Sequence, residues 1–274
     1  MQLAAVSSAA AAGAVASGPA HAQAPTSTLA RVRAAGRMRV AALVGEPPYF
    51  VKSVATGEWS GACVEMAKDI AKILDVKLEY VDSTYGNSVI QLQTDKVDIA
   101  MSLTPTPARA LSINFSRPYF LHGYGLVAPP SWSVSSWSDI NKPTVKIAVD
   151  LGSTQEMAAR RFAPKASITA FATRDEVMLA LQTKRVDCAV FAVLLGMTAV
   201  KKNPNIGKFF MLTNPVIGLP ACLAMPREDN LDFRNFLDVW VEYNRGIGQI
   251  TEWLTNGMKL AGVDPEDIPP DVRL

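Results

Sequence analysis

One short stretch occurs twice in this chain with little change. LQTDKVDIA runs from Leu92 to Ala100, and LQTKRVDCA from Leu181 to Ala189. Each copy reads as the end of a helix, a basic turn and an aspartate entering an apolar strand. A motif that returns in the same local setting implies that the chain builds one kind of α/β unit twice. Asp98 and Asp187 hold the same place in the two copies, which marks them as turn residues rather than catalysts.

The flanking sequence supports two such units. Met38–Val44 reads as a strand, ACVEMAKDIAKILD as a helix with Val64, Ala67, Ile70, Ala71 and Leu74 at helical spacing, and Lys77–Asp82 as the next strand. Asn87–Thr94 reads as a helix and VDIAMS as a strand. This βαβ alternation implies a mainly parallel sheet flanked by helices. The second unit begins with strand KIAVDLG, helix STQEMAARRF, strand SITAF and helix TRDEVMLALQ. Both helices open with S/T-x-x-E, Ser153 to Glu156 and Thr173 to Glu176, which predicts two capping boxes. Phe191–Lys202 is expected as a helix, KFFMLT and IGLPACLAM as strands, and Leu231–Asn244 and Gly248–Gly257 as two closing helices. The Gly- and Pro-containing stretches Gly123–Pro130 and Thr213–Pro220 are the natural crossings between units. Two crossings make a hinge with a cleft between two lobes.

Composition narrows the function. A net charge of +2 with 19% charged residues and no run of like charge speaks against nucleic-acid binding. The first residues, 1–24, are small and weakly apolar and end in A-x-A patterns, the signature of a secretory signal peptide, although no Lys or Arg follows Met1. Export is expected. The three cysteines, Cys63, Cys188 and Cys222, are too far apart for a metal site and odd in number, so neither a metal centre nor a disulfide framework is expected. The expected division is 1–24 signal peptide, 25–37 leader, 38–125 first part of lobe 1, 126–216 lobe 2, 217–258 return to lobe 1, and 259–274 an exposed tail.

SLTPTPARALSINFSRPYF, Ser102 to Phe120, holds one arginine close to Ser102, Thr104 and Thr106. By itself it fits a solvated surface loop or a site that grips an anion. The order of four landmarks decides the matter: GEPPYF after the first strand, WSGACVEMAKDIAKIL, VDIAMSLTPTPARALSINFSRPYF, and KIAVDLGSTQEMAARRF. Together they resemble the periplasmic solute-binding proteins of ABC importers, of the polar amino-acid type (family 3), from about Met38 to Gly257. The resemblance implies a two-lobed periplasmic-binding-protein type II fold with a ligand cleft between the lobes. It implies that Arg109 pairs with a ligand carboxylate, a role that suits the planar fork of a guanidinium. Ser102 and Thr104 fall where the family supplies backbone and hydroxyl contacts. Ser153, Thr154 and Gln155 open a helix whose free N–H groups can receive the same anion from the other lobe. Tyr49, Phe50 and Tyr85 follow the ends of the first two strands and would wall the cleft, with Trp59 near the same edge. Glu46 lies where the family often places a stacking aromatic residue.

The chain also departs from the family. The strand of the second repeat normally ends in an aspartate that accepts the ligand's α-ammonium, and Ala192 stands there. A buried ammonium without a counter-charge is costly. Glu46 and Asp150 are the two acids that could replace it. The expected function is capture of a small carboxylate-bearing solute and its delivery to a membrane permease, by a monomer without cofactor, metal or catalytic residues. Two alternatives share the scaffold: a cyclohexadienyl-dehydratase-like enzyme, whose expected acid falls at the apolar stretch Val193–Leu195, and a periplasmic sensor module. His122, the one histidine after the signal sequence, has no obvious partner in the sequence.

Overall fold

The structure, a computed structural model, describes residues 27–268; the expected signal peptide and the last six residues of the expected tail lie outside them. In chain order the elements are α1 (Thr28–Ala35), β1 (Arg37–Leu43), β2 (Val51–Lys52), β3 (Trp59–Ser60), α2 (Ala62–Leu74), β4 (Lys77–Ser83), α3 (Tyr85–Gln93), β5 (Ile99–Leu103), α4 (Pro107–Ala110), β6 (Ile113–Phe115), β7 (Phe120–Ala128), α5 (Trp137–Ile140), β8 (Lys146–Asp150), α6 (Thr154–Phe162), β9 (Ser167–Phe171), α7 (Arg174–Gln182), β10 (Cys188–Ala192), α8 (Val193–Lys202), β11 (Lys208–Met211), β12 (Gly218–Pro226), α9 (Asp232–Gly246) and α10 (Gln249–Leu260).

The two units are built alike. In the first, β4, β1 and β5 are parallel neighbours and β12 adds antiparallel to β5. In the second, β9, β8 and β10 are parallel neighbours and β7 adds antiparallel to β10. The strands β7 and β12 pair with each other over Phe120–Gly123 and Gly218–Ala221, after which each continues into a different lobe.

The repeated sequence has a physical reason. Thr94 and Thr183 each turn a hydroxyl back to the fourth residue before, Ile90 and Leu179, at 2.8 and 2.7 Å, closing the helix. Asp95 and Lys184 then take left-handed φ values of 53° and 54°. Val97 and Val186 enter the core. Asp98 and Asp187 each accept from a backbone N–H near the start of the neighbouring strand, Arg39 at 2.8 Å and Lys146 at 2.7 Å, and each returns its own N–H to that residue's carbonyl. Both aspartates therefore lock a strand edge.

α2 buries the stripe read from its spacing, Val64, Ala67, Ile70 and Ala71, with Leu74 half-buried. Its entry needs a glycine: Gly61 has φ 116°, and a Cβ there would meet the Tyr49 carbonyl at 2.5 Å. Cys63, Cys188 and Cys222 are all buried and free.

Several elements differ from expectation. Phe191 and Ala192 belong to β10, not to a helix, because they pair with Gly125 and Tyr124. A fully apolar run has no period, so a buried strand passing directly into a buried helix reads as one element. At α6 only half of the predicted capping box forms: Ser153 Oγ accepts from Glu156 N at 3.1 Å, but the Glu156 carboxylate turns to Gly152 N at 2.8 Å. At α7 the box is complete. The leader from Ser27 onward is itself folded, with Ser27 capping α1 and Thr28 bonded to the Glu228 carboxylate. The expected tail starts too early, since α10 runs to Leu260 and both Ala261 and Val263 are buried.

Candidate functional site

Arg109 sits in the single turn of α4. Thr106 caps that turn, its Oγ1 accepting from Arg109 N at 3.2 Å, and Pro107 supplies a preset first helical φ. The guanidinium points inward and is only 7% exposed. Nη1 donates to the Thr104 carbonyl at 2.7 Å, and Nη2 donates across the cleft to the Gly152 carbonyl at 2.8 Å. Burial pushes its pKa down. Among the described residues no carboxylate forms an ion pair with it. A desolvated cation without a counter-ion is a costly arrangement, and an arriving anion relieves it.

The second lobe meets Arg109 with the start of α6. The first bond within the helix is Met157 N to the Ser153 carbonyl, so the N–H groups of Thr154 and Gln155 come before the intrahelical pattern. Gly152 makes the approach possible: its φ is 73°, and a Cβ there would lie 3.1 Å from Gly86 Cα of the other lobe. Ser153 plays a different part from its neighbours. Its hydroxyl donates to the Asp150 carbonyl at 2.7 Å and caps the helix, leaving it fully buried and occupied.

Arg109, Ser102, Thr104, Tyr49, Tyr85, Thr154, Gln155 and Ala192 surround one cavity, together with His122 and Leu195. Its volume is about 10 Å³, the room of roughly one water. The two units therefore meet closely around this cavity, which has no room for a solute. Ser102 holds a left-handed φ of 57° at the end of β5, a conformation uncommon for a residue with a side chain. Phe50 and Trp59 do not reach the cavity. They pack on each other with centroids 6.1 Å apart, and Trp59 continues onto Tyr80, inside the first lobe.

Glu46 and Asp150 lie beside this cavity and face a cation that the sequence reading did not single out, Arg174. Arg174 Nε and Nη2 donate to Glu46 Oε1 at 3.1 and 2.8 Å, and Tyr85 Oη donates to Glu46 Oε2 at 2.9 Å. Arg174 Nη2 is also 2.7 Å from Asp150 Oδ2, close enough for an ion pair but without hydrogen-bond alignment, so neither Asp150 oxygen gains a hydrogen bond. The face of the guanidinium covers the Phe191 ring at 4.4 Å. Burial raises the Glu46 pKa to about 7 against the pull of Arg174, and burial raises that of Asp150 as well. Neither acid is therefore free in the manner of a lone amine acceptor.

His122 does have a partner: Nε2 is 3.1 Å from Thr104 Oγ1. Tyr124 Oη bonds Thr154 Oγ1, joining β7 to α6. Two signals could have found these residues. Phe120, His122 and Tyr124 alternate along one strand and so share a face, which the ring separations of 5.5 and 5.6 Å confirm. Arg174 is the first residue of α7, where the helix dipole disfavours a cation, and a charge so placed needs a nearby acid.

The sequence profile of the bacterial extracellular solute-binding proteins, family 3, matches residues 38–229. An arginine-binding extracellular protein, ArtP, of Bacillus subtilis (strain 168) is 24% identical over 198 residues, which cover 70% of this chain and 72% of that protein. Cyclohexadienyl dehydratase of Pseudomonas aeruginosa is 25% identical over 233 residues, 84% of this chain and 85% of the enzyme. Among solved structures, the ancestral amino acid-binding protein AncCDT-1, a precursor of cyclohexadienyl dehydratase, superposes with a TM-score of 0.77 at 29% identity over 85% of this chain and 100% of its own. With Arg109 and the α6 start facing each other across two matching lobes, and with that profile covering most of the chain, the protein belongs to the bacterial extracellular solute-binding proteins, family 3.

Proposed function

We propose that this protein captures a small carboxylate-bearing solute, an amino acid or a close analogue, between its lobes outside the cytoplasm and presents it to the membrane permease of an ABC importer. The observation that carries the reading is the buried Arg109 guanidinium with no carboxylate partner among the described residues. The ligand carboxylate takes the remaining guanidinium donors, and the N–H groups of Thr154 and Gln155 complete its shell from the other lobe. The names of the relatives, an arginine-binding and an amino acid-binding protein, support an amino-acid-like solute. The hinge is the β7–β12 pair, and the lobes divide near 38–125 with 217–258, and 126–216. We take the working form to be a monomer.

The α-ammonium of such a solute meets no acid at Ala192, and Glu46 and Asp150 are engaged with Arg174. A thermal-shift screen of amino acids, deaminated analogues and dicarboxylates tests the proposal. A ligand at 100 times its dissociation constant adds about 2.7 kcal/mol. Shifts retained by deaminated analogues mean that the carboxylate alone is recognised. Shifts confined to intact amino acids mean that Glu46 or Asp150 turns to the ligand. No shift with any carboxylate overturns the proposal.

The similarity to cyclohexadienyl dehydratase raises a second reading, catalysis in the same cleft. A dehydration needs a proton donor open to the guest. Val193, Leu194 and Leu195 are apolar and buried, and both Glu46 oxygens are held, by Arg174 and Tyr85. Binding without turnover is the better fit, and formation of a dehydrated product from cyclohexadienyl substrates by the purified protein would reverse that preference.

A further inference from the structure

Arg174 and Glu46 come from different lobes. Glu46 follows β1, while Arg174 opens α7. Both are buried in the closed form, their side chains 6% and 4% exposed. The contact is two-pronged, Nε and Nη2 on one carboxylate oxygen. The guanidinium is already seated within its own lobe by the Phe191 ring beneath it and the Asp150 carboxylate beside it. A planar cation held in this way loses little freedom when Glu46 arrives. On the facing lobe Tyr85 holds the other Glu46 oxygen, so both halves of the contact are pre-oriented.

We propose that Arg174 is a latch which, by pairing with Glu46 across the cleft, holds the lobes closed before any solute arrives. Two other contacts cross the cleft nearby, Thr198 Oγ1 to the Pro47 carbonyl at 2.7 Å and Arg109 to Gly152, but neither joins opposite charges. The Lys201–Asp267 ion pair at 3.1 Å, which also joins α8 to the segment after α10, is exposed, so water screens it. The latch stands apart from the guest cavity, whose wall includes Tyr85 but not Glu46, Asp150 or Arg174. Its effect on solute capture follows from this position. Opening exposes the pair to water, and closing must remove that water again. The latch therefore sets how much of the protein waits open and able to receive a solute, and the measured affinity is reduced by whatever fraction waits closed and empty. Loss of Arg174 leaves two buried carboxylates unmatched in the closed form only, because in the open form water replaces the partner, whereas loss of Glu46 takes away the one charge that the facing lobe brings to Arg174.

The inference concerns the lobes and not the guest, so its test needs no ligand and separates its failure from failure of the solute-binding proposal. Small-angle X-ray scattering of the ligand-free protein, in buffer above the Glu46 pKa of about 7 so that its carboxyl is ionised, reads lobe separation. Arg174→Met leaves Glu46 and Asp150 as adjacent buried carboxylates in the closed form, and its radius of gyration is expected to rise above that of the parent. Glu46→Ala removes the partner from the other lobe while Arg174 keeps Asp150, and it is expected to open likewise with its fold intact. Asp150→Asn leaves the cross-lobe pair in place and is expected to scatter as the parent does. If Arg174→Met does not fold, Glu46→Ala decides alone. The latch is overturned if Glu46→Ala superposes on the parent, or if Asp150→Asn opens as far as Glu46→Ala.

Discussion

The Arg109 guanidinium, rooted in the first lobe, donates to the Gly152 carbonyl of the second at 2.8 Å. One side chain thus touches the turn that launches α6 and the loop that follows β5. Arg109 reports directly on the position of the other lobe, and under the proposed binding role occupancy and closure would be coupled through it.

Arg109→Ala is expected to abolish ligand-induced thermal shifts for every carboxylate. Truncating one partner of a buried charged pair costs about 2–5 kcal/mol of binding. The unliganded melting point should stay nearly constant, because the substitution also removes an uncompensated buried cation. Arg109→Lys keeps the charge but not the fork, and titration calorimetry should find it much nearer to Ala than to the parent. A melting point for Arg109→Ala several degrees below the parent would reassign the residue to loop bracing.

Gly152→Ala and Gly86→Ala should differ although the two glycines face each other. Gly152 has φ 73° and its added Cβ would lie 3.1 Å from Gly86 Cα, whereas a Cβ on Gly86 meets only the Leu151 carbonyl at 3.8 Å, an ordinary contact. Gly152→Ala should cost about 1–2 kcal/mol of stability through the left-handed backbone, and the contact with Gly86 should weaken ligand binding further. Gly86→Ala should bind nearly as the parent does. Equal affinities for all three proteins would mean that the lobes close without this contact.

The parts of the fold and site that were legible are those set by local sequence. The α2 stripe, the S/T-x-x-E helix starts and the LQT–VD repeat each act within about ten residues, and each appears where its pattern lies. That Arg109, Thr154 and Gln155 line one cavity was expected from the family resemblance and not from the loop itself, which fitted a solvated surface equally well. Arg174 was not legible, since its meaning depends on Glu46, 128 positions earlier in the chain. His122 gained a partner only when β7, one strand removed from β5 across β12, brought it to Thr104 just after β5. Phe50 pointed the other way: its place after a strand end suggested a cleft wall, yet the alternation from Tyr49 turns it toward Trp59 and the lobe core. Long-range pairing, not local propensity, decided each of these.

The two repeat aspartates should be separable by stability and alike in binding. Burial works to raise the Asp98 pKa, but the hydrogen bonds from Arg39, through side chain and backbone, and from Arg31 prevail and hold it below the usual carboxylate range. Asp187 has the equivalent backbone bond to Lys146. Asp98→Ala leaves Arg39 without its carboxylate and should cost about 3 kcal/mol or more, while Asp187→Ala loses one hydrogen bond and should cost about 1–2 kcal/mol. Denaturant melts read both values. Neither change should alter ligand affinity, and a large loss of binding with either would return the aspartates to the candidate site.

Glu46 and His122 should give stability opposite slopes over nearly the same pH range. Burial lowers the His122 pKa from 6.5 to about 4. Between those values the unfolded chain holds a proton that the folded chain has released, so stability rises with pH. Burial raises the Glu46 pKa from 4.5 to about 7. Across that window the folded chain keeps a proton that the unfolded chain has lost, so stability falls as pH rises. Asp150, raised in the same direction, adds to the second slope, while Arg174 and the Tyr85 hydroxyl oppose it from the other faces of Glu46. The parent protein should therefore show a shallow dependence between pH 4.5 and 6.5. Glu46→Gln removes part of the falling slope, and its denaturation midpoint should climb with pH more steeply than the parent's. His122→Gln removes the rising slope, and its midpoint should fall as pH increases. Parallel profiles for all three proteins would show that neither group changes protonation on folding, and that the closed cleft is wetter than its packing implies.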